Sequence, residues 1–97
     1  MVDKWCKKME VEEATWIVKQ MKTRWGSCVE SKKLIQLNLE LARLPRRCIE
    51  YVVVHELCHL RVHGHNRMFE NLISQYLPNW KSLRKELNGF VALPMEV

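Results

Sequence analysis

VVVHELCHLRVHGH, residues 52–65, holds all four histidines of the 97-residue chain within eleven consecutive positions. The run is apolar at Val52, Val53, Val54, Leu57 and Leu60. Its β-branched valines leave local propensity undecided between strand and helix, so length decides. Upstream, Pro45 suits a first helical turn, where its missing N–H has no partner to lose. Downstream, Gly64 suits the position just past a helix end, where left-handed backbone meets no Cβ clash. The pattern predicts one long, mostly buried helix from Arg46 to His63, closed by Gly64.

That helix gives the histidines their meaning. Residues four apart on a helix lie about 40° apart around its axis and one turn along it. His55 and His59 of His55-Glu56-Leu57-Cys58-His59, an HExxH pattern, therefore point the same way and can share one metal ion. Glu56 falls about 60° beyond His59. Two neutral imidazoles suit zinc, and a carboxylate beside them can take a proton from an attacking water. A catalytic zinc needs a third protein ligand and an open position. His63 continues the stripe, but it lies roughly 12 Å along the axis from His55, too far for one ion bound at about 2.1 Å. His65 lies past Gly64, where the chain can fold back, and its offset from His59 is the HExxHxxxxxH spacing of metzincins. Val62 stands where that pattern has glycine, so Gly64 is left to do the turning. His65 is the expected third ligand, and Glu70 on the following helix is the alternative. Two blander readings, core histidines or a closed structural zinc site, account less well for four clustered histidines around a free carboxylate. His63 is expected at the surface or in support of the site, with a substrate or oxyanion role as the alternative.

Around this helix the sequence reads as α+β. Residues 2–10 fit a short helix with Trp5, Cys6 and Met9 on one side. TWIVKQMK (15–22) is rich in strand formers. LIQLNLEL (34–41) alternates, putting Ile35, Leu37, Leu39 and Leu41 on one face. These two segments are expected as antiparallel neighbours, with TRWGSC (23–28) leading into a polar turn at VESKK. NRMFENLISQYL (66–77) has helical spacing and stops at Pro78. NWKSLRKELNGF (79–90) is a third long helix, with Asn79 as N-cap. The tail VALPMEV is expected to be loosely held; it is long enough to reach for an open metal position.

Composition narrows the function classes. Apolar residues make up 47% of the chain and charged residues 28%, which suits a globular domain and excludes a disordered tail. No apolar run approaches the roughly 20 residues of a membrane span. The N-terminus lacks the apolar stretch of a signal peptide, so a cytoplasmic protein is expected. The four cysteines form no CxxC pair, which argues against a zinc ribbon and for reduced thiols. The net charge of +5 permits nucleotide or nucleic-acid partners, but the basic residues are scattered.

The segments MKTRWGSC, LIQLNLELARLP, IEYVVVHELCHL, HNRMF and LPNWKSLRKELN, in that order over about residues 20–88, resemble the YgjP-like metallopeptidase domain. The resemblance implies a minimal zincin: a small antiparallel sheet packed on an active-site helix, with two further C-terminal helices, residues 1–97 forming one domain. It implies one zinc ion held by His55, His59 and His65, with Glu56 as the catalytic carboxylate cleaving peptide or protein substrates. Members of the family usually carry a longer N-terminal region, so the resemblance leads to the expectation of the C-terminal core of that architecture or a short variant of it. A more distant resemblance runs to SprT-like proteases that act near DNA, but no zinc ribbon follows the helices here. Arg24 and Ser27 lie in a segment resembling the family's RWGSC. They are substrate-facing candidates, against the reading that Trp25 packs the core and Gly26 makes a turn. Tyr76 is a further substrate-groove candidate, with core packing as its other reading. The same resemblance also implies a UTP pyrophosphatase, which makes a metal-dependent nucleoside triphosphate hydrolase the rival reading. No phosphate-cradling glycine loop supports it. A non-catalytic nucleic-acid or protein binding module is the third.

Overall fold

The computed structural model describes residues 1–11 and 13–90. The tail expected to be loosely held lies outside the described residues. The described elements are α1 (Val2–Lys8), β1 (Thr15–Lys19), β2 (Gly26–Val29), β3 (Leu34–Asn38), α2 (Arg46–His59), α3 (Arg67–Tyr76) and α4 (Trp80–Asn88). Short 3₁₀ turns cover Glu30–Lys32 and Leu39–Arg43. The class is α+β, as expected.

Everything packs around α2. Cys48 and residues 51–58 are all buried, so this helix has no solvent stripe and behaves as a core helix. Val52, Val53 and Val54 are each fully enclosed, and burial of a valine side chain contributes about 1.5–3 kcal/mol. The sheet, α1, α3 and α4 all pack on it. The short N-terminal helix buries Val2, Trp5 and Cys6, with Met9 just beyond it. Trp5 Nε1 donates to Glu50 Oε2 on α2 at 3.0 Å. The four cysteines are free thiols. No described helix is long and apolar enough to cross a membrane.

The sheet differs from expectation in pairing. Its order is β1-β3-β2, with β1 parallel to β3 and β2 antiparallel to β3. The predicted neighbours do meet, but they run parallel. The segment read as a lead into a turn is itself a strand, so the chain reverses twice between β1 and β3. Central β3 buries Ile35 and Leu37, while edge strand β1 is exposed along its whole length.

Two boundaries also shift. The third strand ends at Asn38 rather than Leu41 because that side chain takes over the backbone's bonds. Asn38 Oδ1 accepts from Glu40 N at 2.9 Å, which starts the 3₁₀ turn and throws Leu39 out to solvent. The long helix α2 ends at His59, not His63. Leu60 N–H donates to Leu57 O at 3.1 Å and Arg61 N–H to Cys58 O at 3.0 Å, tightening the last turn. Gly64 therefore sits inside the return loop, at φ +72°, rather than at the helix end. Asn79 holds the predicted N-cap position of α4 without a side-chain capping bond.

Candidate metal centre at the end of α2

The early end of α2 is what assembles the cluster. With the helix stopped at His59, residues 60–66 turn back over its last turn and bring His65 to the pair on the helix. His65 Nε2 lies 3.1 Å from His59 Nε2 and 3.1 Å from His55 Nε2. One N–H on His65 cannot serve both contacts, so hydrogen bonding alone does not explain the convergence. Nitrogens bound at about 2.0–2.1 Å to one tetrahedral ion lie roughly 3.3 Å apart. The spacing and the all-imidazole donor set thus fit a zinc-type ion. All three histidines offer ligand atoms within 4.8 Å of one another, and they form the metal-compatible cluster found among the described residues.

The backbone selects the ligating tautomer of His59. Its Nδ1–H donates to Val62 O at 3.3 Å, which leaves the Nε2 lone pair facing the cluster. Burial drives the His55 imidazole down to about 3, helped by the nearby charges of His65 and Arg84. Burial also lowers His59, with His55 adding to the effect. Both rings are therefore neutral near pH 7, the form that binds metal.

Glu56 lies beside them, 1% exposed. Burial pushes its carboxyl up to about 7, against the opposing pull of His59, Arg24 and His65. A carboxylate poised near neutrality is suited to exchanging protons at working pH. His55 Nδ1 lies 3.5 Å from Glu56 Oε2, too long for a good hydrogen bond. Among the described residues neither atom has a hydrogen-bond partner. Strand β2 presses against this spot: a Cβ on Gly26 would sit 2.8 Å from Val52 Cγ1 and 3.2 Å from Glu56 Cγ. Gly26 thus serves a close approach of strand to helix, not the turn expected of it, while Trp25 is buried in the core.

The remaining sequence candidates separate. The Arg24 charge acts on Glu56. Ser27 Oγ donates to Gln36 Oε1 at 2.9 Å across the β2–β3 pair. His63 is exposed and paired with Glu30, outside the histidine cluster. Tyr76 packs edge-on against Trp5, with ring centroids 6.2 Å apart. Glu70, the alternative ligand, is exposed and outside the cluster. Sequence reasoning missed Phe69, whose ring touches all three imidazoles. Its signal was an apolar residue four positions after His65, in the first turn of the next helix.

Comparison with known proteins bears on the family and the fold. The YgjP-like, metallopeptidase domain family matches residues 1–90. The chain belongs to the YgjP-like metallopeptidase family. The match takes in α1 and β1, which the resemblance read from sequence left out. No curated protein matches the chain. Among solved structures, it is similar to the metallopeptidase zymogen abylysin of Pyrococcus abyssi. That likeness has a TM-score of 0.84 at 17% identity, covering 98% of this chain and 99% of that one. It is also similar to the metallopeptidase zymogen jannalysin of Methanocaldococcus jannaschii, with a TM-score of 0.78 at 21% identity and 93% of each chain covered. At these identities the likeness establishes the fold, and the YgjP-like fold here is that α+β architecture.

Proposed function

We propose that this YgjP-like chain is a one-domain zinc peptidase, with His55, His59 and His65 as the ligands of one ion. Glu56 is its general base. The observation that carries the reading is the convergence of three Nε2 atoms beside a buried carboxyl with an unpartnered oxygen. A zinc ion held there supplies Lewis-acid polarisation of the scissile carbonyl and makes water acidic enough to attack near neutral pH. Glu56 accepts the proton of the attacking water and passes it to the leaving amine. The second edge of β2 faces no strand among the described residues, and Gly26 of this strand packs beside Glu56. An extended peptide or protein segment could add to that edge as a further strand. Arg24, acting on Glu56 from the segment before β2, is the substrate-side residue best supported.

The test begins with metal content. Protein purified without nickel or chelator is expected to carry about one zinc per chain by elemental analysis. The wild type is expected to cleave an unfolded protein, and Glu56→Gln to keep the metal and lose cleavage. Absence of metal after zinc is added back, or full activity in Glu56→Gln, would overturn the reading. Phosphate release from UTP without protein cleavage would replace the peptidase with a phosphohydrolase.

A further inference from the structure

Phe69 is 3% exposed in the first turn of α3. Its ring centroid lies 4.9 Å from that of His55, 4.5 Å from His59 and 5.1 Å from His65. Against His59 the rings are stacked at 26°, whereas His55 and His65 meet it edge-on at 64° and 82°. One flat side chain therefore touches every member of the cluster, and in different orientations. Its own position is fixed locally: Asn66 Oδ1 accepts from Phe69 N at 3.0 Å, capping the helix that begins directly after His65. Five consecutive residues, His65 to Phe69, thus deliver one ligand and a surface against which all three rest.

We propose that Phe69 is a positioning residue for the metal centre, an aromatic floor that holds the three imidazoles in ligating orientation. The inference rests on the zinc reading above and adds a residue that binds nothing itself. The physical argument is preorganisation. A free imidazole turns about its χ2 axis, and each ring must be held for three lone pairs to meet at one point. His59 is held by Val62 O through its second nitrogen. His55 Nδ1 has no such partner among the described residues, so packing is left to do for it what a hydrogen bond normally does. A branched aliphatic side chain would fill similar space without offering a flat face to a stacked ring and edges to two others.

The experiment compares two buried residues of α3. Phe69→Leu removes the flat ring. Ile73→Ala removes a fully buried side chain one turn further on. Zinc affinity is measured by competition with a chelator, at a temperature where both variants are folded. The visible spectrum of the cobalt-loaded protein is recorded beside it. Phe69→Leu is expected to weaken zinc binding roughly 10–100-fold, the size of effect seen when support of a metal ligand is lost, and to broaden the cobalt bands. Ile73→Ala is expected to lower Tm while its zinc affinity stays within about threefold of wild type, since it removes buried volume from α3 but leaves the Phe69 ring in place. If Phe69→Leu does not fold, Phe69→Met carries the same expectation. Wild-type affinity in the Phe69 variant, or equal weakening in Ile73→Ala, would overturn the proposal. A wild type that takes up no zinc would overturn the metal-centre reading itself, and this inference with it.

Discussion

Asn38 and Glu56 are each 1% exposed, and each brings a polar side chain into the core, but the core treats them differently. Asn38 uses its whole amide. Nδ2 donates to Met21 O at 3.0 Å and to Arg24 O at 2.8 Å, and Oδ1 accepts from Glu40 N at 2.9 Å. Among the described residues Glu56 leaves Oε2 without a hydrogen-bond partner, and the neighbouring His55 Nδ1 is left in the same state. A buried polar atom left unpaired costs about 1–3 kcal/mol. A fold able to satisfy Asn38 completely is under no packing constraint to waste Glu56. The contrast separates a polar residue that organises backbone from the one to which the proposed function gives the role of base.

Substitution should break the comparison along that line. Glu56→Gln is expected to lower hydrolysis by about 10²–10⁴-fold, the contribution of a positioned base. Its metal-free stability should stay within about 1 kcal/mol of wild type, because Oε2 has no bond to lose. Asn38→Leu should do the reverse. It strips the carbonyls of Met21 and Arg24 and the N–H of Glu40 of their partner, and should cost about 2–4 kcal/mol in denaturant unfolding. Zinc affinity of the folded fraction should not change. A large stability loss in Glu56→Gln would place both residues in the same structural class.

Gly26 links the two regions, since β2 joins the ladder that Asn38 ends and touches the helix that Glu56 occupies. Gly26→Ala puts a methyl 2.8 Å from Val52 Cγ1, inside contact distance, with the Gln36 carbonyl also close at 3.2 Å. Overpacking of this kind costs about 1–3 kcal/mol. The new methyl also pushes on Glu56 Cγ. The variant should therefore lose hydrolysis beyond what its folded fraction explains. Activity that tracks folded fraction alone would show that the strand does not set the carboxyl's place.

Much of this site was open to sequence reasoning because helical periodicity is local. His55, Glu56 and His59 share a face by arithmetic, and Gly64 marks a place where the chain can turn. The end of α2 was misplaced by one turn because Leu60, Arg61 and Val62 are all tolerable in a helix. What stops it is a tightened last turn, followed by the His59–Val62 bond in the return loop. The alternation through Leu41 outran β3 for a similar reason, since the amide of Asn38 bonds to segments distant in sequence. The parallel pairing of β1 was the least legible feature. It depends on β2, four residues long, whose Gly26 reads as a turn until the packing against Val52 is seen. Phe69 was overlooked because its role lies in touching rings from two other segments, which no periodicity within α3 reveals.

The exposed pair Arg47–Glu86 gives the smallest effect and a reference for the buried groups. Arg47 Nε donates to Glu86 Oε1 at 2.7 Å, and a second guanidinium nitrogen meets Oε2, joining the start of α2 to α4. The hydrogen bond from Arg47, more than the general attraction of its charge, holds the Glu86 carboxyl below its ordinary value of 4.5. A carboxyl lowered in the folded state contributes stability above its unfolded value and loses it as pH falls through the folded one. Wild type and Glu86→Gln should therefore differ slightly in unfolding midpoint at pH 7. The difference should shrink below pH 4.5 and vanish once the carboxylate is protonated in both states. High salt at pH 7 should shrink it too, because Arg47 stands in water and Glu86 is only half-buried. Insensitivity to salt would mean that the pair acts by packing α4 onto α2 rather than by charge. An exposed pair that fades with salt would leave the buried, salt-shielded end of α2 as the place where charge does chemical work.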